Sequence, residues 1–176
     1  ANINIQNRFG FAAIHLAINQ KNIEIITKLL ENKSNLNLRC KTGETPLHLA
    51  CNFKLYEVVK MLLIKRADVN VTDYDNELTP LLYAIMLDRI DIVKLLLEYN
   101  ADPNHADQYG NSAYHYCIYE NRFEIFEKIM AVQNKDLNLT NIDSKTTCHL
   151  IFENDDINNY EKIKYLDKVI KYTNVN

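Results

Sequence analysis

The stretch Thr45-Pro46-Leu47-His48-Leu49-Ala50 combines a helix start with an apolar helix face. Threonine is a favourable N-cap, and proline suits the first helical position, where its missing N–H costs nothing. Related stretches recur along the chain at gaps of 33, 34, 33 and 34 residues, centred on His15, His48, Leu82, His115 and His149. A period of this length predicts a repeat architecture.

Two further features recur at the same period. An Asx-x-Asn segment, which has turn chemistry, begins at Asn2, Asn35, Asp68, Asp102 and Asp136. A run of apolar residues with helical spacing begins at Ile25, Val58, Ile92 and Ile125. Each copy is therefore predicted to form a turn followed by two short antiparallel helices. One such unit cannot bury its apolar face alone, so neighbouring units must stack.

The sequence resembles the ankyrin-repeat family, whose signature is T-P-L-H-x-A at a period of 33 residues. The resemblance covers the chain in five copies, of which the second is nearly ideal and the fifth degenerate. It implies an all-α solenoid of stacked helix-turn-helix units with β-hairpin-like turns. We expect one ankyrin-repeat domain over 1–176, with repeats at about 2–34, 35–67, 68–101, 102–135 and 136–176.

The composition argues against several classes of function. Three glycines are too few for the loops that cradle phosphates, and a net charge of −3 does not favour nucleic-acid binding. The longest apolar runs are shorter than the roughly 18 residues of a membrane-spanning helix. Four widely spaced cysteines indicate reduced thiols. We therefore expect a monomeric domain without cofactor or membrane insertion, in the cytoplasm or the nucleus.

The repeated histidines could suggest a metal or catalytic site. Successive copies would lie about 10 Å apart, which is too far for one metal ion. The resemblance implies instead that each histidine hydrogen-bonds within its turn and to the neighbouring repeat, a series that Leu82 interrupts. No nucleophile and base pattern is visible, so the chain is not expected to be an enzyme. Cys51 and Cys117 are predicted to be buried, and Cys40 to be more exposed.

In the family, partners usually bind a concave face formed by turn tips and the exposed side of each first helix. The turn candidates by repeat phase are Arg8, Phe9, Phe11, Lys41, Glu44, Tyr74, Asp75, Glu77, Gln108 and Tyr109. The candidates at first-helix ends are Gln20, Asn52, Phe53, Met86, Leu87, Tyr119 and Glu120. Exposed aromatic residues favour a groove for a partner protein or peptide with an apolar anchor and some basic character. The alternative is that some of them pack between adjacent turns.

The chain departs from the repeat pattern in three respects. Leu78 is an extra residue, which predicts a longer third turn. Glycines expected where the backbone is left-handed are replaced by Lys21, Lys33, Lys54, Arg66, Asp88, Asn100 and Asn121, with an extra residue near Gln133-Asn134. The fifth copy is longer, so its second helix or its loop should be extended. Its predicted amphipathic face consists of Ile157, Tyr160, Ile163, Leu166 and Ile170.

Both ends of the chain fall at one repeat phase, since the segments 1–4 and 173–176 match each other. Neither shows the polar cap that a free solenoid needs, so we expect the chain to be part of a longer protein. The function predicted first is a non-enzymatic interaction scaffold. The alternatives are a regulatory or substrate-recruiting segment of a larger enzyme, or an effector of an intracellular pathogen.

Overall fold

The computed structural model describes residues 2–173. Within this range it contains ten helices and no strand, which confirms the all-α class and the helix-turn-helix repeats. The helices are α1 (Ala13–Asn19), α2 (Ile23–Glu31), α3 (Pro46–Asn52), α4 (Tyr56–Ile64), α5 (Pro80–Met86), α6 (Ile90–Glu98), α7 (Ala113–Tyr119), α8 (Phe123–Ile129), α9 (Thr147–Glu153) and α10 (Asn159–Thr173). The phase match of 1–4 with 173–176 involves residues outside the described range.

The chain divides into two compact units, Ala1–Ala101 and Asp102–Asn176. In the first unit α1, α3 and α5 pack in sequence order, and α2, α4 and α6 form a second layer against them. In the second unit α7 packs on α9 and α8 on α10, with contacts between the two layers. The boundary coincides with the predicted junction of the third and fourth repeats. The single domain over 1–176 stays a prediction.

The first helix of the second repeat begins as its sequence predicts. Pro46 occupies the first turn of α3, and Thr45 is the N-cap. Nδ1 of His48 accepts hydrogen bonds from the N–H of Thr45 at 3.1 Å and from its hydroxyl at 2.8 Å. The histidine therefore holds the helix start in place of the glutamate of an ordinary capping box.

Each unit has its own apolar core. In the first unit, α4 buries Val58, Val59, Leu62 and Leu63 along one helix face, and each such side chain stabilises the fold by roughly 1.5–3 kcal/mol. In the second unit, aromatic rings contribute to the apolar core. The buried Phe126 ring meets Tyr165 nearly edge-on at a centroid distance of 5.1 Å. Such edge-to-face pairs add a modest stabilisation beyond their buried area.

The turns contain residues with left-handed backbone that are not glycine. All seven positions predicted from the missing glycines have a positive φ, from 49° at Asn121 to 65° at Arg66. Asn134, beside the extra residue of the fourth repeat, also has a positive φ of 58°. Glu77 and Ser144 were not predicted, although they share the repeat phase of Gly10, Gly43 and Gly110. Each non-glycine residue in this conformation costs roughly 1 kcal/mol.

The third turn is longer than the others, as the extra Leu78 predicted. In the second repeat the N–H of Cys40 donates to the carbonyl of Glu44, which closes a five-residue turn. In the third repeat the N–H of Asp73 donates to the carbonyl of Leu78 instead, so the same bond spans one residue more.

The prediction of a more exposed Cys40 is wrong. The side chain is only 3% exposed, and its sulfur lies 2.9 Å from the hydroxyl of Thr42. The reason is its position at the start of the turn, where the side chain points inward. Cys51 and Cys117 are fully buried, as predicted, and burial raises the pKa of both thiols.

The fifth repeat is extended in both its loop and its second helix. Residues 154–158 connect α9 to α10, and α10 has 15 residues against nine in α4. The predicted amphipathic face is largely wrong. Ile157 is buried just before the helix, but on the helix itself the buried residues are Tyr165 and Val169. The helix is rotated relative to the prediction because the aromatic ring of Tyr165 fills the space against α8.

Tyr160, Ile163 and Ile170 are therefore 50–68% exposed, and Leu166 is half-buried.

Candidate functional site

The turns that precede each first helix are closed by backbone and side-chain bonds together. In the fourth repeat the N–H of Asp107 donates to the carbonyl of Asn111, and the N–H of Gly110 donates to that of Asp107. Oδ1 of Asp107 also accepts from the N–H groups of Tyr109 and Asn111, at 2.9 and 2.7 Å. These bonds fix the turn so that the side chains at its tip point to solvent.

Two tyrosines hold the turn carboxylates from the adjoining helix. The hydroxyl of Tyr83 donates to Oδ2 of Asp73 at 3.0 Å, and that of Tyr116 donates to Oδ2 of Asp107 at 2.8 Å. Burial, with the nearby carboxylates, raises the pKa of Tyr83. The phenol therefore stays protonated and remains a donor to the turn.

Successive turns within each unit are joined by backbone bonds. The N–H of Lys41 donates to the carbonyl of Phe9, and the N–H of Tyr74 donates to that of Thr42. In the second unit the N–H of Ile142 donates to the carbonyl of Tyr109. Neighbouring turn tips are thus held in a fixed register.

The histidines of the first, second and fourth repeats link each of these repeats to the next, which confirms their structural interpretation. Nε2 lies 3.0–3.1 Å from a carbonyl oxygen of the following repeat, in the pairs His15 with Leu38, His48 with Leu78, and His115 with Lys145. Burial lowers the pKa of all three rings, that of His48 to about 4. They are neutral near pH 7, as a ring that accepts at Nδ1 requires. The fifth histidine, His149, is exposed.

Hydrogen bonds between the Asx-x-Asn segments of neighbouring repeats form a second set of links between repeats. Oδ1 of the first residue accepts from the backbone N–H two residues later, as in Asp68 with Asn70 at 3.0 Å. This confirms the predicted turn-capping role. The asparagine side chain reaches the next repeat: Oδ1 of Asn37 accepts from the N–H of Asp68 at 2.9 Å. The sequence signal for this second bond was the invariable asparagine at the third position of the segment.

The structure places all the predicted partner-binding residues at least partly in solvent. Thirteen are exposed: Arg8, Phe9, Gln20, Lys41, Asn52, Tyr74, Asp75, Glu77, Met86, Gln108, Tyr109, Tyr119 and Glu120. Four are half-buried: Phe11, Glu44, Phe53 and Leu87. The turn candidates lie at turn tips and the others at the ends of α1, α3, α5 and α7. Their role in binding stays a prediction.

The most exposed aromatic residues of this set lie at turn tips. Phe9 is 51% exposed, Tyr74 is 61% exposed and Tyr109 is 49% exposed. The guanidinium of Arg8 lies 4.7 Å from the ring centroid of Phe9, and that of Arg39 lies 5.0 Å from the ring centroid of Tyr74. Arg39 was not among the predicted residues, because it precedes the turn.

The family model described as ankyrin repeats (3 copies) matches residues 1–73 and 72–141. The chain belongs to the ankyrin-repeat family. It is 35% identical, over an alignment of 199 residues, to an ankyrin repeat protein of Acanthamoeba polyphaga mimivirus. The alignment covers all of this chain and 26% of that relative, so the chain spans about a quarter of the relative's length. Ankyrin repeats are generally protein-interaction modules.

The half-buried aromatics of this ankyrin chain make contacts of their own. Phe11 lies beside the His15 ring, with centroids 5.9 Å apart. The ammonium of Lys21 lies 5.6 Å from the ring centroid of Phe53. Neither contact joins two adjacent turns, so the alternative that some of the aromatics pack between turns stays a prediction.

The second unit has a concavity of about 280 Å³ beside one predicted residue, Tyr119. The ammonium of Lys145 pairs with Glu153 at 2.6 Å on its wall. The lining residues are Tyr119, Lys145, Leu150, Glu153, Asn154, Asp155 and Asp156. An aromatic ring beside several carboxylates suits a basic side chain with an aliphatic stem.

Within residues 2–173, no group of three or more His, Cys, Asp or Glu side chains is arranged to hold a metal ion. In the same range, no helix has both the length and the apolar character needed to cross a bilayer.

Proposed function

We propose that this ankyrin-repeat chain is a non-enzymatic scaffold that binds a partner protein or peptide through its turn tips and first-helix ends. The observation that carries the proposal is the exposure of Phe9, Tyr74 and Tyr109 at tips whose backbone is fixed by hydrogen bonds. Aromatic residues held rigidly in solvent lose little entropy when they bind, which makes them effective anchors.

The charges around the anchors suggest the chemistry of the partner. In the first unit, the guanidinium groups of Arg8 and Arg39 lie beside the rings of Phe9 and Tyr74, and Asp75 and Glu77 are exposed in the same turn as Tyr74. This surface therefore offers charges of both signs around its apolar anchors. In the second unit, the concavity beside Tyr119 carries more carboxylates than ammonium groups. That surface favours basic side chains, in line with the basic character expected from the sequence.

The same proposal includes a cytoplasmic or nuclear location. The four cysteines are all free thiols, as in a reducing compartment. Because the chain spans a quarter of its mimivirus relative, an enzymatic or effector activity of a longer protein would be a separate property.

Affinity capture from lysate with the immobilised chain tests the proposal. We expect Tyr74→Ala and Tyr109→Ala each to weaken capture of a specific partner, and their combination to abolish it. The matched control is Tyr160→Ala, since Tyr160 is 68% exposed but lies on a second helix. The three single variants should melt within a few degrees of the wild type, because none of the rings is buried.

Capture of the same proteins by the double variant and the wild type would contradict the proposed site. Capture that is lost equally with Tyr160→Ala would indicate nonspecific hydrophobic adhesion instead.

A further inference from the structure

A cleft of about 470 Å³ lies in the first unit, where α2 and α4 end. Lys33, Lys65 and Arg66 line it, together with one carboxylate, that of Glu31. All four side chains are exposed. In the part of the chain that the structure describes, none of the four forms an ion pair. The cleft, here called the basic cleft, therefore brings together three cations that no carboxylate pairs with.

The following repeat forms an equivalent cleft with different charges. This second cleft, of about 550 Å³, is lined by Arg66, Asp68 and Tyr99 among others. Asp68 has the repeat phase of Asn35, and Tyr99 has that of Lys65. The repeat architecture thus accounts for a cleft at this place, but it does not require the cations of the basic cleft.

Asparagine side chains add hydrogen-bond donors to the basic cleft. Asn35 and Asn37 line it, and each accepts a backbone N–H through its Oδ1. At the phase of Asn37 in the next two repeats, Nδ2 of Asn70 and Nδ2 of Asn104 each donate to a carbonyl at the end of the same repeat. Asn37 makes no such bond within residues 2–173. Its amide N–H groups therefore remain as donors for a ligand.

The charge of the first two repeats suits an anion. Residues 1–66 contain ten Lys and Arg side chains and four of Glu, whereas residues 67–101 contain two Lys and Arg side chains and seven of Asp and Glu. Charges of one sign around a cleft raise the local concentration of ligands of the opposite sign. A nucleic-acid strand needs a groove of cations along its backbone, and here it would meet the carboxylates of the third repeat. A single anionic group fits better.

We propose that the basic cleft binds a phosphorylated side chain of a partner protein. Its three cations and one carboxylate leave a net charge of +2, which balances the charge of roughly −1.5 to −2 that a phosphate ester carries near pH 7. The guanidinium of Arg66 can donate to two phosphate oxygens at once, and Lys33 and Lys65 supply compact charges. None of the cleft residues belongs to the predicted partner-binding set, so this site goes beyond the proposed function.

The backbone of the cleft allows a variant that separates binding from folding. Lys33 and Arg66 have φ of 57° and 65°, which glycine adopts without strain. Lys33→Gly with Arg66→Gly therefore removes two of the cations and should unfold at a higher urea concentration than the wild type. The matched control is Lys21→Gly with Lys54→Gly. These lysines have φ of 54° and 59° and lie outside the cleft, so the control changes net charge and backbone strain in the same way.

A titration followed by NMR on the ¹⁵N-labelled 176-residue chain tests the proposal. The probe is a peptide of one phosphoserine between two glycines on each side, with blocked ends. We expect saturable binding with a Kd of about 1 mM or below, with shifts of the N–H signals of residues 30–37 and 65–66. The same peptide with unmodified serine should not bind. The cleft double variant should bind at least about tenfold more weakly, and the control should change affinity less than about twofold because distant exposed charges are screened.

Three results would overturn the proposal. Equal weakening in the two double variants would mean that overall charge, and not the cleft, attracts the peptide. The same response to the phosphoserine and serine peptides, or no saturation up to about 10 mM, would mean that the cleft does not recognise the phosphate group. Tighter binding of single-stranded octauridylate than of the peptide, lost in the cleft double variant, would assign the cleft to nucleic acid instead.

Discussion

Nε2 of His48 lies 3.0 Å from the carbonyl oxygen of Leu78, so a buried imidazole joins the second repeat to the turn that opens the third. Because Nδ1 accepts from Thr45, the proton resides on Nε2, which donates to Leu78. Protonation of the ring would remove the acceptor that the Thr45 N–H needs.

Stability should therefore fall in mild acid. The pKa of His48 is lowered by burial to about 4 in the folded chain, against about 6.5 when unfolded. The unfolded chain then binds more protons between these values, so stability falls as pH drops from about 6.5 to about 4. His15 and His115 act in the same direction. Urea unfolding at intervals of pH measures the slope.

His48→Leu is the matched variant, since Leu82 occupies this position in the third repeat. It should reduce the acid slope, and it should cost about 1–3 kcal/mol at pH 7 because the buried Thr45 N–H loses its acceptor. If the free energy of unfolding of His48→Leu fell with pH as steeply as that of the wild type, groups other than His48 would cause the pH dependence.

Gly43→Ala should destabilise the first unit by at least about 2 kcal/mol. Gly43 has a φ of 86°, and a Cβ there would lie 2.3 Å from the backbone N of Tyr74. Thermal and urea unfolding give the change. Ser144→Ala is the control, because Ser144 already has a Cβ at this phase and is exposed; a loss as large as that of Gly43→Ala would refute the steric explanation.

Arg66→Gly should raise the free energy of unfolding by roughly 0.5–1 kcal/mol, since glycine adopts the left-handed φ of 65° without strain. Asn100→Gly, at a φ of 64°, should gain less because asparagine tolerates this region better. Urea midpoints with unchanged slopes would measure both gains. If both variants gained the same free energy of unfolding, relief of left-handed backbone strain would not explain the gain, because this strain is smaller for asparagine than for arginine.

Tyr114→Phe should stabilise the second unit by about 1 kcal/mol. The side chain is fully buried, and among the described residues its hydroxyl has no hydrogen-bond partner. Tyr165→Phe is the contrasting variant, because the single proton of that hydroxyl is shared between two acceptors, the carbonyl of Cys117 at 3.3 Å and Oδ1 of Asn121 at 3.2 Å. It should lose about 1 kcal/mol. The same sign of change in both variants would exclude this explanation.

The sequence predicted the features that recur with the period. The helix starts follow from comparing one repeat with the next, whereas the bonds of the histidines and seven of the left-handed positions were implied by the resemblance to the ankyrin-repeat family. Prediction failed where local position was taken as the guide to burial. The phase of Cys40 is buried in the later repeats too, at Asp73, Asp107 and Asn141, but a turn residue was expected to be more exposed.

The last helix shows the same limit. A period of 3.6 fits Tyr160, Ile163 and Ile170 as well as it fits Tyr165 and Val169, and only the fit of the Tyr165 ring beside Phe123 and Phe126 decides between them. The candidate site was located by repeat phase. The contribution of Arg39 to it was missed, because its guanidinium reaches Tyr74 from a residue outside the turn.

The bonds between turns have a mechanical consequence. Each joins residues close to one repeat apart, such as Phe9 with Lys41 and Tyr109 with Ile142, and none of these ties distant parts of the chain together. Pulled from its ends, the chain should lengthen in steps, each releasing one repeat and about 110 Å of extended backbone. The force needed for each step is therefore set by the contacts between neighbouring repeats and not by the length of the whole chain.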